Sequence, residues 1–177
     1  NSMDVTAPED YYMFLDSNAA RVNSTMWNDT APTSTLFYLG GGGDVNDSSN
    51  TYLAMCFADV KGYSKFGTYQ SNGSATDGPF IFTGFRPAFT MIKMTNGANG
   101  WVMNDNGRSA FNGQNNTLWA DADTIQSTAY DIPFFSNGFK IYTNDSYYNG
   151  SATNTFVYMA FAEFPLVSSN SLPGVAR

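Results

Sequence analysis

The sequence predicts an all-β protein, an antiparallel β-sandwich built from two similar halves. Three observations carry that prediction. A decapeptide occurs twice: Asn50-Thr51-Tyr52-Leu53-Ala54-Met55-Cys56-Phe57-Ala58-Asp59 returns as Asn154-Thr155-Phe156-Val157-Tyr158-Met159-Ala160-Phe161-Ala162-Glu163. The dipeptide Asn-Gly recurs at 72, 96, 99, 106, 112, 137 and 149, and it tolerates the positive φ angles of tight antiparallel turns. No stretch sustains the apolar period of a helix.

Each decapeptide is a short apolar run closed by one carboxylate and bounded by turn-formers, the pattern of a strand buried on both faces. Side chains alternate across a strand, so Leu53, Met55 and Phe57 share one face, as do Val157, Met159 and Phe161. Tyr52, Ala54 and Cys56, and Phe156, Tyr158 and Ala160, share the other. The two copies are read as central strands of one core, one from each half. Residues 1–84 form an N-terminally incomplete first half and residues 85–177 the second.

Taken in order, residues 11–16 read as a short aromatic strand ended by Ser17-Asn18. Residues 18–35 are turn-rich around Trp27, with Pro32 excluding a helix. Residues 35–39 read as a strand that stops at the four glycines 40–43, and the first core strand follows. Between Gly62 and Gly73 the rings Tyr63, Phe66 and Tyr69 recur every third residue, yet the glycines and β-formers argue against a helix. Residues 80–82 are a short strand. Residues 88–95 and 101–104 form a hairpin across Asn96-Gly97-Ala98-Asn99-Gly100, and residues 132–135 and 138–142 another about Asn137-Gly138. Tyr147-Tyr148-Asn149-Gly150 is a loop before the last core strand. The tail after Pro165 is polar.

The second half owns a strand, residues 88–95, with no counterpart before Tyr11. The missing strand is expected upstream in a longer polypeptide or from another chain, because an uncovered sheet edge invites pairing. The opening Asn1-Ser2-Met3-Asp4 is neither a start nor a signal peptide, which also suggests a piece of something longer.

The chain has 177 residues, net charge −7 and only 13% charged residues. That acidity argues against binding a nucleic-acid backbone or an anionic membrane through charge. No stretch is long and apolar enough to span a bilayer as a helix. There is no His, which removes Ser-His-Asp and Cys-His catalysis and the common zinc-enzyme ligand sets. The lone Cys56 reads as a small buried hydrophobe, with no disulfide framework.

Carboxylate pairs remain, since glycoside hydrolysis needs only two. Asp121 with Asp123 beside Trp119, Asp44 with Asp47, and Asp59 with Glu163 are the pairs available. The last two occupy equivalent repeat positions, which points to strand-end solvation or pairing with Lys61, Lys65 or Arg86. Asp44, Asn46 and Asp47 offer oxygen ligands to a hard cation but lack the spacing of a calcium loop, so no metal and no cofactor is assigned. Aromatic rings can stack on a sugar's apolar face while Asn and Asp bond its hydroxyls. The candidate glycan contacts are therefore Tyr147, Tyr148, Asp145 and Asn149 in one loop, then Trp119 and Trp101, which also suit core packing.

Four stretches carry a resemblance: residues 52–69, residues 77–89 with Gly84-Phe85-Arg86-Pro87, Trp27-Asn28-Asp29-Thr30-Ala31-Pro32-Thr33-Ser34, and residues 158–165. They resemble a domain near the C-terminus of tail-fibre and other virion proteins of marine tailed bacteriophages, notably those of cyanobacteria. The likeness runs from about Trp27 onward, and the stretch from Gly62 to Phe66 is among its most specific parts. Met55 departs from it, since Tyr usually stands there. The resemblance implies a non-enzymatic, extracellular virion module, a homotrimer with other virion proteins as partners, contacting host-surface glycan. It implies no nucleic-acid partner and no membrane insertion. A capsid decoration or fibre-forming subunit is the first alternative, and an enzyme degrading envelope polysaccharide the second.

Overall fold

The computed structural model describes residues 6–109, 112–113 and 116–165; the polar tail after Pro165 lies outside them. The chain is all-β, as its sequence predicts. Its strands are β1 (Tyr11–Tyr12), β2 (Val22–Asn23), β3 (Ser64–Gln70), β4 (Phe80–Phe82), β5 (Pro87–Met94), β6 (Val102–Asp105), β7 (Leu118–Trp119), β8 (Phe134–Phe135), β9 (Gly138–Lys140) and β10 (Thr155–Ala162). The one α-helix among the described residues is a single turn, Gly43–Asn46.

Two antiparallel sheets form the sandwich. The larger has five strands in the order β3-β10-β5-β6-β7, and the smaller has three in the order β4-β9-β8. The second decapeptide is the central strand expected of it. Strand β10 pairs with β3 on one side, Tyr158 opposite Gly67, and with β5 on the other, Tyr158 opposite Ile92. Gly67 admits this closeness, since a Cβ there would stand 2.9 Å from the Tyr158 ring. Both hairpins also form, β5 with β6 and β8 with β9.

The core lies between the sheets. Phe156, Tyr158 and Ala160 of β10, Ile92 of β5 and Val102 of β6 meet Ile81, Phe134 and Phe139 of the smaller sheet. Burying a side chain of this size stabilises by about 1.5–3 kcal/mol. Alternation thus sorts β10 as expected, and Phe161 on its outer face meets the rings of Phe57, Tyr63, Phe66 and Phe89. The carboxylates closing the two decapeptides pair as anticipated, Asp59 with Lys65 and Glu163 with Arg86.

The first decapeptide is a correction. Residues 51–59 form no strand, and Leu53, Met55 and Phe57 are 86%, 75% and 63% exposed. Cys56 is exposed too, not buried. The physical reason is that a sheet has one slot between β3 and β5, and β10 holds it. Residues 50–59 instead run into a tight turn, where Val60 bridges Ser64, and leave the sheet. Residues 35–39 likewise form no strand, with Leu36, Phe37 and Leu39 exposed. Of residues 11–16 only Tyr11 and Tyr12 are paired, with Asn23 and Val22. The division at 84/85 falls between β4 and β5 of one sandwich, so two equivalent halves do not describe the architecture.

Residues 11–23 attach to the end of the larger sheet. Trp101 donates its indole N–H to the Phe14 carbonyl at 2.8 Å, and the Arg21 amide donates to the Thr95 carbonyl at 2.8 Å.

Candidate functional site

That attachment creates a cleft of about 410 Å³ between residues 16–18, Gly100, Trp119, Asp121, Ala122, Thr124 and Tyr147. Each wall has a local cause. Trp119 ends β7, the strand beside β6. Tyr147 is set by the turn at Asp145, whose side-chain Oδ1 accepts the Tyr147 amide at 2.9 Å while its carbonyl accepts those of Tyr148 and Asn149. The rings of Trp119 and Tyr147 meet edge-on at 5.6 Å, and Tyr130 packs edge-on against both. Burial, with the nearby Asp145 and Tyr147, raises the Tyr130 hydroxyl's pKa.

Asp121 anchors the floor by accepting the Trp101 backbone N–H at 2.7 Å. Gly100 is required beside it, because a Cβ there would stand 2.7 Å from the Asp121 carboxylate and 2.9 Å from the Trp119 ring. Asp16, Ser17, Asn18 and Thr124 complete the polar lining, and no Lys or Arg takes part. Two aromatic faces, short hydroxyl and amide groups and two carboxylates suit a neutral polyhydroxylated ligand and repel anions. The indole N–H of Trp119 is buried without a protein acceptor among the described residues.

The sequence-derived candidates divide sharply. Trp119 and Tyr147 come together in the cleft. Trp101 is buried behind it, and Asp145 acts by shaping the turn. Tyr148 and Asn149 are corrections, since both are wholly buried. The Tyr148 hydroxyl donates to Asn104 Oδ1 at 2.7 Å and lies 2.8 Å from Thr117 Oγ1. Asn149 joins the loop at residues 72–74, donating to Asn72 Oδ1 and the Ser74 carbonyl and accepting the amides of Asn72 and Gly73.

Asp16, Ser17 and Asn18 were missed, because long-range bonds from Trp101 to Phe14 and from Arg21 to Thr95 bring this turn to the cleft. Of the residues weighed for a cation, Asp47 accepts the amide and hydroxyl of Ser49, and Asn46 donates to the Gly40 carbonyl. Asp44 lines a separate groove of about 520 Å³, walled by Trp27, Phe37, Tyr52, Ala54 and Cys56 among others. Among the described residues no group of three or more His, Cys, Asp or Glu is placed to hold a metal.

A protein-family model matches residues 2–165. The chain belongs to that family, DUF7483, a domain of unknown function. The match spans the exposed first part of this family member as well as its sandwich. No curated protein and no solved structure matches the chain.

Proposed function

We propose that this chain is a non-enzymatic structural and adhesive module of a bacteriophage virion, carried on a tail fibre, that contacts a neutral host-surface glycan through the Trp119–Tyr147 cleft. The observation that supports it most is the cleft itself: half-buried aromatic rings beside short polar groups, with no cationic side chain in the lining. A sugar stacks its C–H face on such rings and hydrogen-bonds Asp16, Asn18 and Asp121. The virion assignment is supported by the resemblance of residues 52–69 and 77–89. The low content of charged side chains suits an extracellular, homotrimeric fibre.

The exposed apolar residues 50–59 favour a second reading, a fibre-forming or capsid-decoration subunit whose work is assembly. Glycan-array screening followed by titration of the whole chain separates the two. On the adhesive reading, a neutral glycan binds, and Trp119→Ala and Tyr147→Ala each weaken it by at least about tenfold, or 1.4 kcal/mol. Native mass spectrometry then gives a trimer. Absence of any glycan signal, or binding that both variants leave intact, removes the adhesive reading. Release of reducing ends from a bound polysaccharide, lost in Asp121→Asn, replaces it with hydrolysis.

A further inference from the structure

Residues 50–59 carry the side chains of a central strand but stand in no sheet. Aligning Asn50 with Asn154 sets Tyr52, Ala54 and Cys56 against Phe156, Tyr158 and Ala160, the face that β10 turns into the core. In residues 50–59 these three, together with Leu53 and Met55 of the opposite face, line the apolar groove, with Tyr11, Trp27 and Phe37 on its other walls. The correspondence extends back along the chain. Residues 12–16 answer to 101–105, Trp27 to Trp119, and Phe37 to the Phe135–Phe139 region. The groove therefore includes, in Tyr52, Ala54 and Cys56, three positions whose counterparts in β10 are core.

In the finished one, β3 and β5 flank β10, and β4 joins the facing sheet. All three precede β6 in the chain, and β5 enters β6 through a tight hairpin with Ile92 opposite Val102. Nothing among the described residues does this for residues 11–59. The pairing of Tyr11 and Tyr12 with Val22 and Asn23 is local and brief. Unpaired apolar strands recruit partners by backbone hydrogen bonding, with side-chain pockets fixing register.

We infer that residues 11–59 are a half-sandwich completed by a segment of the same kind as residues 64–94, lying on the N-terminal side of Tyr11 in the same polypeptide. Two of its strands flank residues 50–59, and its third covers the groove. The hairpin order of β5 and β6 sets that source, since the partner of residues 12–16 arrives through one short turn. The inference stands apart from the glycan reading, whose cleft it leaves untouched.

Cys56 is the only cysteine in the chain, and it corresponds to Ala160, which is 0% exposed. Its reaction with a thiol reagent therefore reports on this site alone. The test compares the whole chain with a version extended at its N-terminus by a second copy of residues 60–99, which contains no cysteine. In the unextended chain Cys56 reacts as an open thiol. In the extended chain its reaction slows by at least about 100-fold, the protection of a stably paired strand, and native mass shows the same oligomeric state as for the unextended chain. Ala54→Pro in the extended chain restores reactivity, because proline removes a ladder donor.

Two outcomes overturn the inference outright. One is a reactive Cys56 in an extended chain whose β10 amides remain protected from exchange. The other is a Cys56 already protected in the unextended chain, whether in a dimer that covers it with a second copy or in a monomer that pairs it internally. Should the extended chain fail to fold, residues 60–99 are added as a separate peptide to the whole chain. Saturable slowing of Cys56 supports the inference, and unchanged reactivity at millimolar peptide overturns it.

Discussion

Tyr147 and Tyr148 are neighbours with opposite fates. Tyr147 is half-exposed at the cleft, while Tyr148 is enclosed beneath it. Inside, three side chains close a ring: Asn104 Nδ2 donates to Thr117 Oγ1 at 2.9 Å, and Tyr148 donates to Asn104 Oδ1. The Thr117 proton is then left for the Tyr148 oxygen, 2.8 Å away. Tyr148→Phe removes one hydroxyl and leaves both neighbours short of a partner in a site closed to water, at a cost of about 1–3 kcal/mol. Chemical denaturation of the variant measures this, and a change within about 0.5 kcal/mol, the range of an ordinary surface substitution, would show the ring to be dispensable. A pair of tyrosines in a loop gives no period from which to choose the buried one. That choice depends on the turn at Asp145, and on Asn104 and Thr117 lying across the core.

Strand β10 and residues 50–59 share an apolar pattern and, from Asn154 and Asn50 on, five of ten residues, and the fold treats them oppositely. Composition and alternation located β10, its inner face and both hairpins, because those depend on neighbours close in sequence or on burial alone. They misplaced residues 50–59, because a decapeptide does not encode whether its sheet has room. The cleft was half legible for a similar reason. Trp119 and Tyr147 announce themselves as aromatic loop or edge residues, whereas Asp16 to Asn18 reach the cleft through the long-range bonds joining Trp101 to Phe14 and Arg21 to Thr95. Matched substitutions expose the contrast between the two decapeptides. Ala160→Asp buries an unpaired carboxylate between the sheets and destabilises by more than about 4 kcal/mol. Cys56→Asp, at the matching position of the exposed copy, changes stability by no more than about 0.5 kcal/mol in the same chain. Thermal melts of the two variants check this, and a large loss at Cys56 would mean that residues 50–59 already support the sandwich.

Among the described residues one cation has no exposure to water. Lys93 of β5 is fully buried, and its ammonium donates to the carbonyls of Met94 at 2.7 Å and Gly97 at 3.3 Å. Burial brings its pKa down to about 8, with Asp121 beneath the cleft opposing the shift. An unfolded lysine titrates near about 10.4. Below pH 8 both states hold the proton, and the folded state bears the desolvation penalty in full. Between the two values the folded state sheds its proton first, so the unfolded state binds more protons and stability rises with pH. The rise is on the order of 3 kcal/mol. Buried tyrosines then reverse it. Desolvation raises Tyr69 and Tyr148, and pushes Tyr158 up to about 12. Their contribution is intact below the unfolded tyrosine value of about 10 and is lost as pH climbs from there through the folded values. Lys93 thus makes stability rise with pH above about 8, and the buried tyrosines make it fall above about 10. Lys93→Met, close in volume and uncharged, flattens the limb between pH 8 and 10 and leaves the alkaline fall unchanged. Urea unfolding midpoints of both proteins at intervals from pH 7 to 11 decide the matter, and a rising limb that persists in Lys93→Met would assign it to some other group.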